Sequence, residues 1–178
     1  MERRGPFGLW KGMGLSDFAG ELHEIAPFKY GTSSLPKAHS AFDQYILQIS
    51  PKTGLAWIKA LGKTISTNRF GTGILTAFDS MEAKLSGSYG GKSRMDFLMT
   101  GSIWNEPQDW MQALQNRERL LHVTWDNSTG AQLTDSLSLI FLGASATDTE
   151  SGFIFIEYSF DNILESEAEV AAAEDDAL

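Results

Sequence analysis

The sequence predicts an α+β protein. It is read as two helix-plus-antiparallel-meander units, with helices packed on one face of the sheet and an extra helix inserted in the second unit. Three observations carry this. Apolar residues recur at helical spacing in three places. Short apolar runs between them are broken by Pro-, Gly- and Asn-containing turns, as in hairpins. The order helix, loop, meander then starts again near residue 70.

In chain order, Gly12-Met13-Gly14 lead into Leu15, Phe18, Leu22 and Ile25, whose spacing predicts a first helix over 15–25, ended by Pro27. A short strand is predicted over 28–30 and a Ser-rich loop over 32–40. Strands over 45–49 and 55–61 follow, joined by the turn Ser50-Pro51-Lys52-Thr53-Gly54. Ile74, Phe78, Met81 and Leu85 predict a second helix, followed by a loop over 87–91. A third helix is predicted from Asn105, with Pro107 in its first turn, Gln108 completing a capping box, and Trp110, Met111 and Leu114 as its apolar stripe. Strands over 120–125, 133–142 and 153–160 complete the chain, with a turn at Asp126-Asn127-Ser128-Thr129-Gly130.

The restart reads as an internal repeat. Leu15-Ser16-Asp17-Phe18 matches Leu75-Thr76-Ala77-Phe78 at an offset of 60, and Tyr30-Gly31 matches Tyr89-Gly90 at 59. Residues 1–160 are therefore expected to form one domain of two similar halves, about 8–65 and 70–160. The Gly-Met-x-Leu-Ser-x-Phe start at Gly12, followed by a loop and a meander, twice over, resembles the β-lactamase-inhibitor-protein-like fold. It is also similar to the SmpA/OmlA lipoproteins, whose helix begins after a Gly-Met pair like Gly12-Met13. The resemblance implies helices on one face of a sheet, with the other face free to bind protein. The disulfides and signal peptide of the secreted inhibitors, and the lipidated Cys of the lipoproteins, have no counterpart here.

Charge is unevenly placed. The 178 residues carry 23 acidic and 14 basic side chains, a net charge of -9. Residues 1–119 sum to +3, whereas 120–178 have no Lys or Arg and sum to -12. Seven acidic residues lie in 161–178, which is expected to be a mobile acidic tail whose removal leaves the fold intact. Cysteine is absent, which excludes disulfide scaffolds and thiolate zinc sites. No signal-peptide h-region and no apolar run near the ~20 residues of a bilayer span is present, so a cytoplasmic protein is expected.

The motifs that could carry chemistry are incomplete. Ser34-Leu35-Pro36-Lys37, Lys52-Thr53-Gly54 and Ser66-Thr67-Asn68 echo penicillin-recognising serine enzymes, but Pro36 breaks the helical turn that brings Ser to Lys. Ser86 to Ser93 ends like a phosphate loop, but a helix precedes it where a strand is needed. His23, His39 and His122 show no metal-ligand spacing. Lys59, Lys63, Arg69, Lys84, Lys92 and Arg94 are too sparse for a nucleic-acid stripe. No catalytic residue, cofactor or metal site is assigned.

Period-2 alternation supplies the candidate site. Trp57 and Lys59 oppose Ala56, Ile58 and Ala60; His122 and Thr124 oppose Leu121, Val123 and Trp125; Phe153, Phe155 and Glu157 oppose Ile154, Ile156 and Tyr158. Trp57, Lys59, His122, Thr124, Phe155 and Glu157 are therefore expected on one outward face, with the aromatic and polar mixture of an interface. The expected function is a protein-binding module of inhibitor, immunity or defence-antagonising type that occludes a partner bearing a basic patch. Two other readings stand beside it. One is a small-ligand or enzymatic domain with a pocket near Tyr30, His39 and Tyr89. The other is a structural subunit of a larger, phage-related assembly.

Overall fold

The computed structural model describes residues 5–178; Arg3 and Arg4, part of the basic segment, lie outside them. The elements are β1 (His23–Ala26), β2 (Lys29–Thr32), β3 (Phe42–Ser50), β4 (Gly54–Gly62), β5 (Ile65–Ser66), α1 (Thr72–Tyr89), β6 (Ser93–Leu98), α2 (Trp110–Gln115), β7 (Arg119–Trp125), β8 (Leu137–Ala146), β9 (Ser151–Phe160) and α3 (Ile163–Asp175). The strands form one antiparallel sheet in the order β1-β2-β3-β4-β9-β8-β7-β6, with β5 paired to β9, and the helices pack against it. The α+β class is that of the chain.

Two compact units interleave in sequence. The first holds the residues up to Ala60 with Leu133–Ile140 and Glu157–Leu178; the second holds Leu61–Gln132 and Phe141–Ile156. They differ from the consecutive halves 8–65 and 70–160. The element that breaks the repeat is the first helix, which does not form. Only a 3-10 turn over Leu15–Asp17 is present, with the Asp17 carboxylate accepting the Gly14 amide at 2.9 Å. Phe18 is already extended, and His23 and Glu24 pair with Gly31 and Tyr30 in β2. A single short helix containing Gly20 has little intrinsic stability. Leu15 and Ile25 stay exposed, so no apolar face rewards it.

In the first unit, Phe7 meets Tyr45 edge-on at 5.0 Å and Phe42 and Tyr158 at 5.9 Å. Leu9, Met13, Leu47 and Leu55 are buried in the same unit. The Gly12 amide donates to the Leu55 carbonyl at 2.9 Å, and the Leu55 amide to Met13 at 2.8 Å. Gly54, at φ 73°, allows this approach, because a Cβ there would strike the Gly12 backbone.

The C-terminal segment docks on this unit, which corrects the expectation of a mobile tail over 161–178. Ser166 is fully buried; its hydroxyl accepts from Gln48 Nε2 at 2.9 Å and lies 3.3 Å from the Ser50 hydroxyl. Asn162 Nδ2 donates to the Leu55 carbonyl at 3.1 Å. The Glu169 carboxylate accepts the amides of Lys52 at 3.0 Å and Thr53 at 2.7 Å, and the Thr53 hydroxyl. Partial burial pushes the Glu169 carboxyl up, but these bonds and one from Ser50 outweigh it and hold it below its ordinary 4.5. Residues 171–178 are exposed.

In the second unit, α1 buries Ile74, Phe78, Met81 and Leu85, and runs beyond the expected 74–85 at both ends. The Thr67 hydroxyl accepts the Gly73 amide at 2.9 Å, and Asn68 Oδ1 accepts that of Thr72 at 3.3 Å. Gly71, at φ 70°, lies against Trp110, whose ring a Cβ would enter. The third helix is shorter and begins later than expected. Its lead-in box is Glu106 with Asp109, whose carboxylate accepts the Glu106 amide at 3.3 Å, rather than one started by Asn105. The 127–129 turn forms as expected, capped by Asp126. Strand β6 was not expected; it pairs with β7 in unbroken register from Ser93↔Thr124 to Leu98↔Arg119.

Two outcomes follow from the docking of α3. Truncation after Phe160 removes three sets of hydrogen bonds worth ~1 kcal/mol each, so the melting temperature should fall by roughly 6–12 °C. An unchanged melt would show that α3 does not hold the fold. Glu169 stabilises the fold above its unfolded value of about 4.5, and this contribution is lost as pH falls through the lower folded value. Glu169→Gln should therefore destabilise at neutral pH and have no effect below that range; equal destabilisation at both would contradict the assignment.

Candidate functional site

The geometry of the second unit starts from a buried carboxylate. Glu82 on α1 has a side chain only 7% exposed, with Lys92 Nζ at 2.9 Å and an ion pair to Arg94. Arg94 also reaches Asp79 at 2.9 Å, and its guanidinium lies 5.3 Å from the Phe78 ring centre. Arg94 therefore faces α1. On the same side, Asp96 pairs with Arg119 at 3.2 Å, and Arg119 lies 5.8 Å from the Trp110 ring of α2. Leu121, Val123 and Trp125 are buried on this helix side.

Alternation then sends Met95 and Phe97 to the opposite side, where they are 43% and 41% exposed. Met95 pairs in register with His122, and Phe97 with Leu120. His122 stacks on Phe141 at 5.0 Å, Phe141 on Phe155 at 6.0 Å, and Phe155 lies 6.3 Å from Phe153. An apolar row thus crosses β6, β7, β8 and β9, with every member at least partly exposed. Gly143 makes room for it, since a Cβ there would strike the Phe155 and Phe141 rings. Burial in the row lowers the His122 pKa below its ordinary 6.5.

Of the six expected site residues, His122, Thr124 and Phe155 lie on this face, Thr124 paired with Ser93. Trp57, Lys59 and Glu157 belong to the first unit. There Lys29 Nζ sits 5.3 Å above the Trp57 ring, and Lys59 lies 3.4 Å from Glu157, each side chain 27% exposed. Sequence reading missed Met95, Phe97, Phe141 and Lys29. The signal for two of them was present, because Arg94-Met95-Asp96-Phe97 alternates polar and apolar.

The motif-like strings have structural roles. Thr67 and Asn68 cap α1, Thr53 is held by Glu169, and Lys92 neutralises Glu82. His39 Nδ1 accepts the Ala41 amide at 3.1 Å, and its ring lies 5.7 Å from Phe42. Among the described residues, no group of three or more His, Cys, Asp or Glu is arranged to hold a metal ion.

Trp57 and Trp125 provide an internal control for a partly exposed and a fully buried ring. Trp125 is fully buried, so Trp125→Ala should destabilise by about 3–5 kcal/mol. Trp57→Ala removes a half-exposed ring and one cation–π contact, and should cost about 1 kcal/mol. Chemical denaturation of both variants checks this, and equal losses would contradict the placement of Trp57. Comparison of the chain with protein-family models, with curated proteins and with solved structures finds no match.

Proposed function

We propose that the chain is a protein-binding module of the inhibitor, immunity or defence-antagonising type, acting in the cytoplasm by covering a partner's surface. The observation that carries this reading is the row of Phe97, Met95, His122, Phe141, Phe155 and Phe153 on the side of the second unit opposite α1 and α2. An exposed apolar patch on a folded domain marks an interaction surface. Aromatic residues and Met are the types enriched at the centres of such surfaces. Gly143 lets the rings lie close to the sheet, so they are presented already ordered and lose little side-chain entropy on binding.

Charge selects the partner. Residues 120–178 sum to -12 with no Lys or Arg, which repels phosphate backbones and favours a protein with a basic patch. Among the described residues, no helix is long and apolar enough to cross a membrane. The mechanism is occlusion: aromatic side chains fill an apolar depression of the partner, and the net negative charge of the chain favours the approach of a basic protein.

The test is affinity capture from the native host with the wild type and with a Phe97→Ser/Phe141→Ser variant of verified melting temperature. A partner captured by the wild type should bind the variant about 30-fold more weakly, the loss of ~2 kcal/mol typical of interface anchors. Equal capture by both would remove the aromatic face from the interaction.

A further inference from the structure

We infer that β6 is a self-complementary edge through which two copies of this chain pair, antiparallel and centred on Met95. The inference uses the backbone edge rather than the aromatic face, and it stands or fails independently of the function proposed above.

The sheet ends at β6 on one side and at β1 on the other. The β1 edge is blunted: it has four residues, and its register shifts between Glu24 and Ala26. Such irregularity is how proteins prevent edge-to-edge pairing. The β6 edge has no such irregularity. It has six residues, unbroken register with β7, and an exposed Met95 and Phe97.

Its free backbone groups can be placed. The Met99 amide donates to the Glu118 carbonyl at 2.7 Å, continuing the β6–β7 ladder. By alternation, Met95 and Phe97 bond toward β7, while the amides and carbonyls of Arg94, Asp96 and Leu98 point outward. Among the described residues, no loop or cap backbone bond reaches those three.

Charge then selects the occupant and the register. Centring on Met95 places Arg94 of each copy opposite Asp96 of the second copy, giving two opposite-charge pairs. A shift by one step of the ladder places Asp96 opposite Asp96, which repels. The sequence Arg94-Met95-Asp96 is thus complementary to itself across a two-fold axis, the relation an isologous interface requires. Each new pair joins an existing one, Arg94 with Glu82 and Asp96 with Arg119. A single strand pair is a small interface, so the association is weak and dependent on concentration.

The absence of native cysteine makes a direct test clean. In this register, residue 95 faces its own copy in a non-hydrogen-bonded pair, with Cα atoms about 4.5 Å apart. That distance lies within disulfide reach of roughly 4.4–6.8 Å. Met95→Cys should form a covalent dimer on mild oxidation, whereas Phe97→Cys, opposite Ser93 of the second copy, should cross-link far more slowly. In sedimentation equilibrium the wild type should show a reversible monomer–dimer equilibrium, weakened at least tenfold by Asp96→Lys. A wild type that is monomeric at every concentration and a Met95→Cys chain that does not cross-link would overturn the proposal. Faster cross-linking of Phe97→Cys would overturn the register. If Asp96→Lys does not fold, the two cysteine variants still decide.

Discussion

The ion pair between Glu82 and Arg94 fixes which way β6 faces. A carboxylate removed from water is costly unless cations reach it, and Arg94 and Lys92 both do. With Arg94 turned to α1, the two-residue period leaves Met95 and Phe97 no place except the opposite side. Through the β6–β7 register, the same choice sets His122 and Thr124 on that side and Leu121 and Val123 against the helices. Slippage of β6 by one residue would bury Met95 and Phe97 while stripping Glu82 of its guanidinium. One buried charge thus enforces an exposed apolar strand.

The first unit uses polar contacts differently. Its C-terminal helix carries little apolar surface, yet Ser166, Asn162 and Glu169 each satisfy a specific backbone or side-chain group near the β3–β4 turn. The acidic composition of this segment suggests a solvated arm, and most of its carboxylates are exposed. The docking depends on the few polar side chains that turn inward. The Lys52-Thr53-Gly54 string belongs to the same arrangement: its amides are the donors that Glu169 requires.

The sequence was readable where one face of an element differs from the other. Strands β4, β7 and β9 alternate small or aliphatic residues with polar and aromatic ones, so their facing followed from period alone, and α1 was readable from Ile74, Phe78, Met81 and Leu85. Phe141 was not, because β8 is apolar on both sides, with Leu137, Leu139 and Phe141 against Ile140 and Leu142. The first helix was misread because Leu15, Phe18, Leu22 and Ile25 satisfy a helical period while Gly14 and Gly20 weaken it and β2 offers His23 and Glu24 a partner. The docking of 161–178 through α3 was hidden for a related reason: it rests on single polar residues, which leave no periodic trace.

The central claim is that the side of the second unit bearing Met95, Phe97 and Phe141 is open to solvent while the helix side is closed. Hydroxyl-radical footprinting read by mass spectrometry tests it within one molecule, because methionine lies on both sides. Met95, at 43% exposure, should oxidise rapidly, and Met111 and Met81, at 0% and 6%, slowly. Phe97 should be modified more rapidly than Phe78, which is fully buried. Protection of Met95 and Phe97 to the level of Met111 in the monomer would contradict the account.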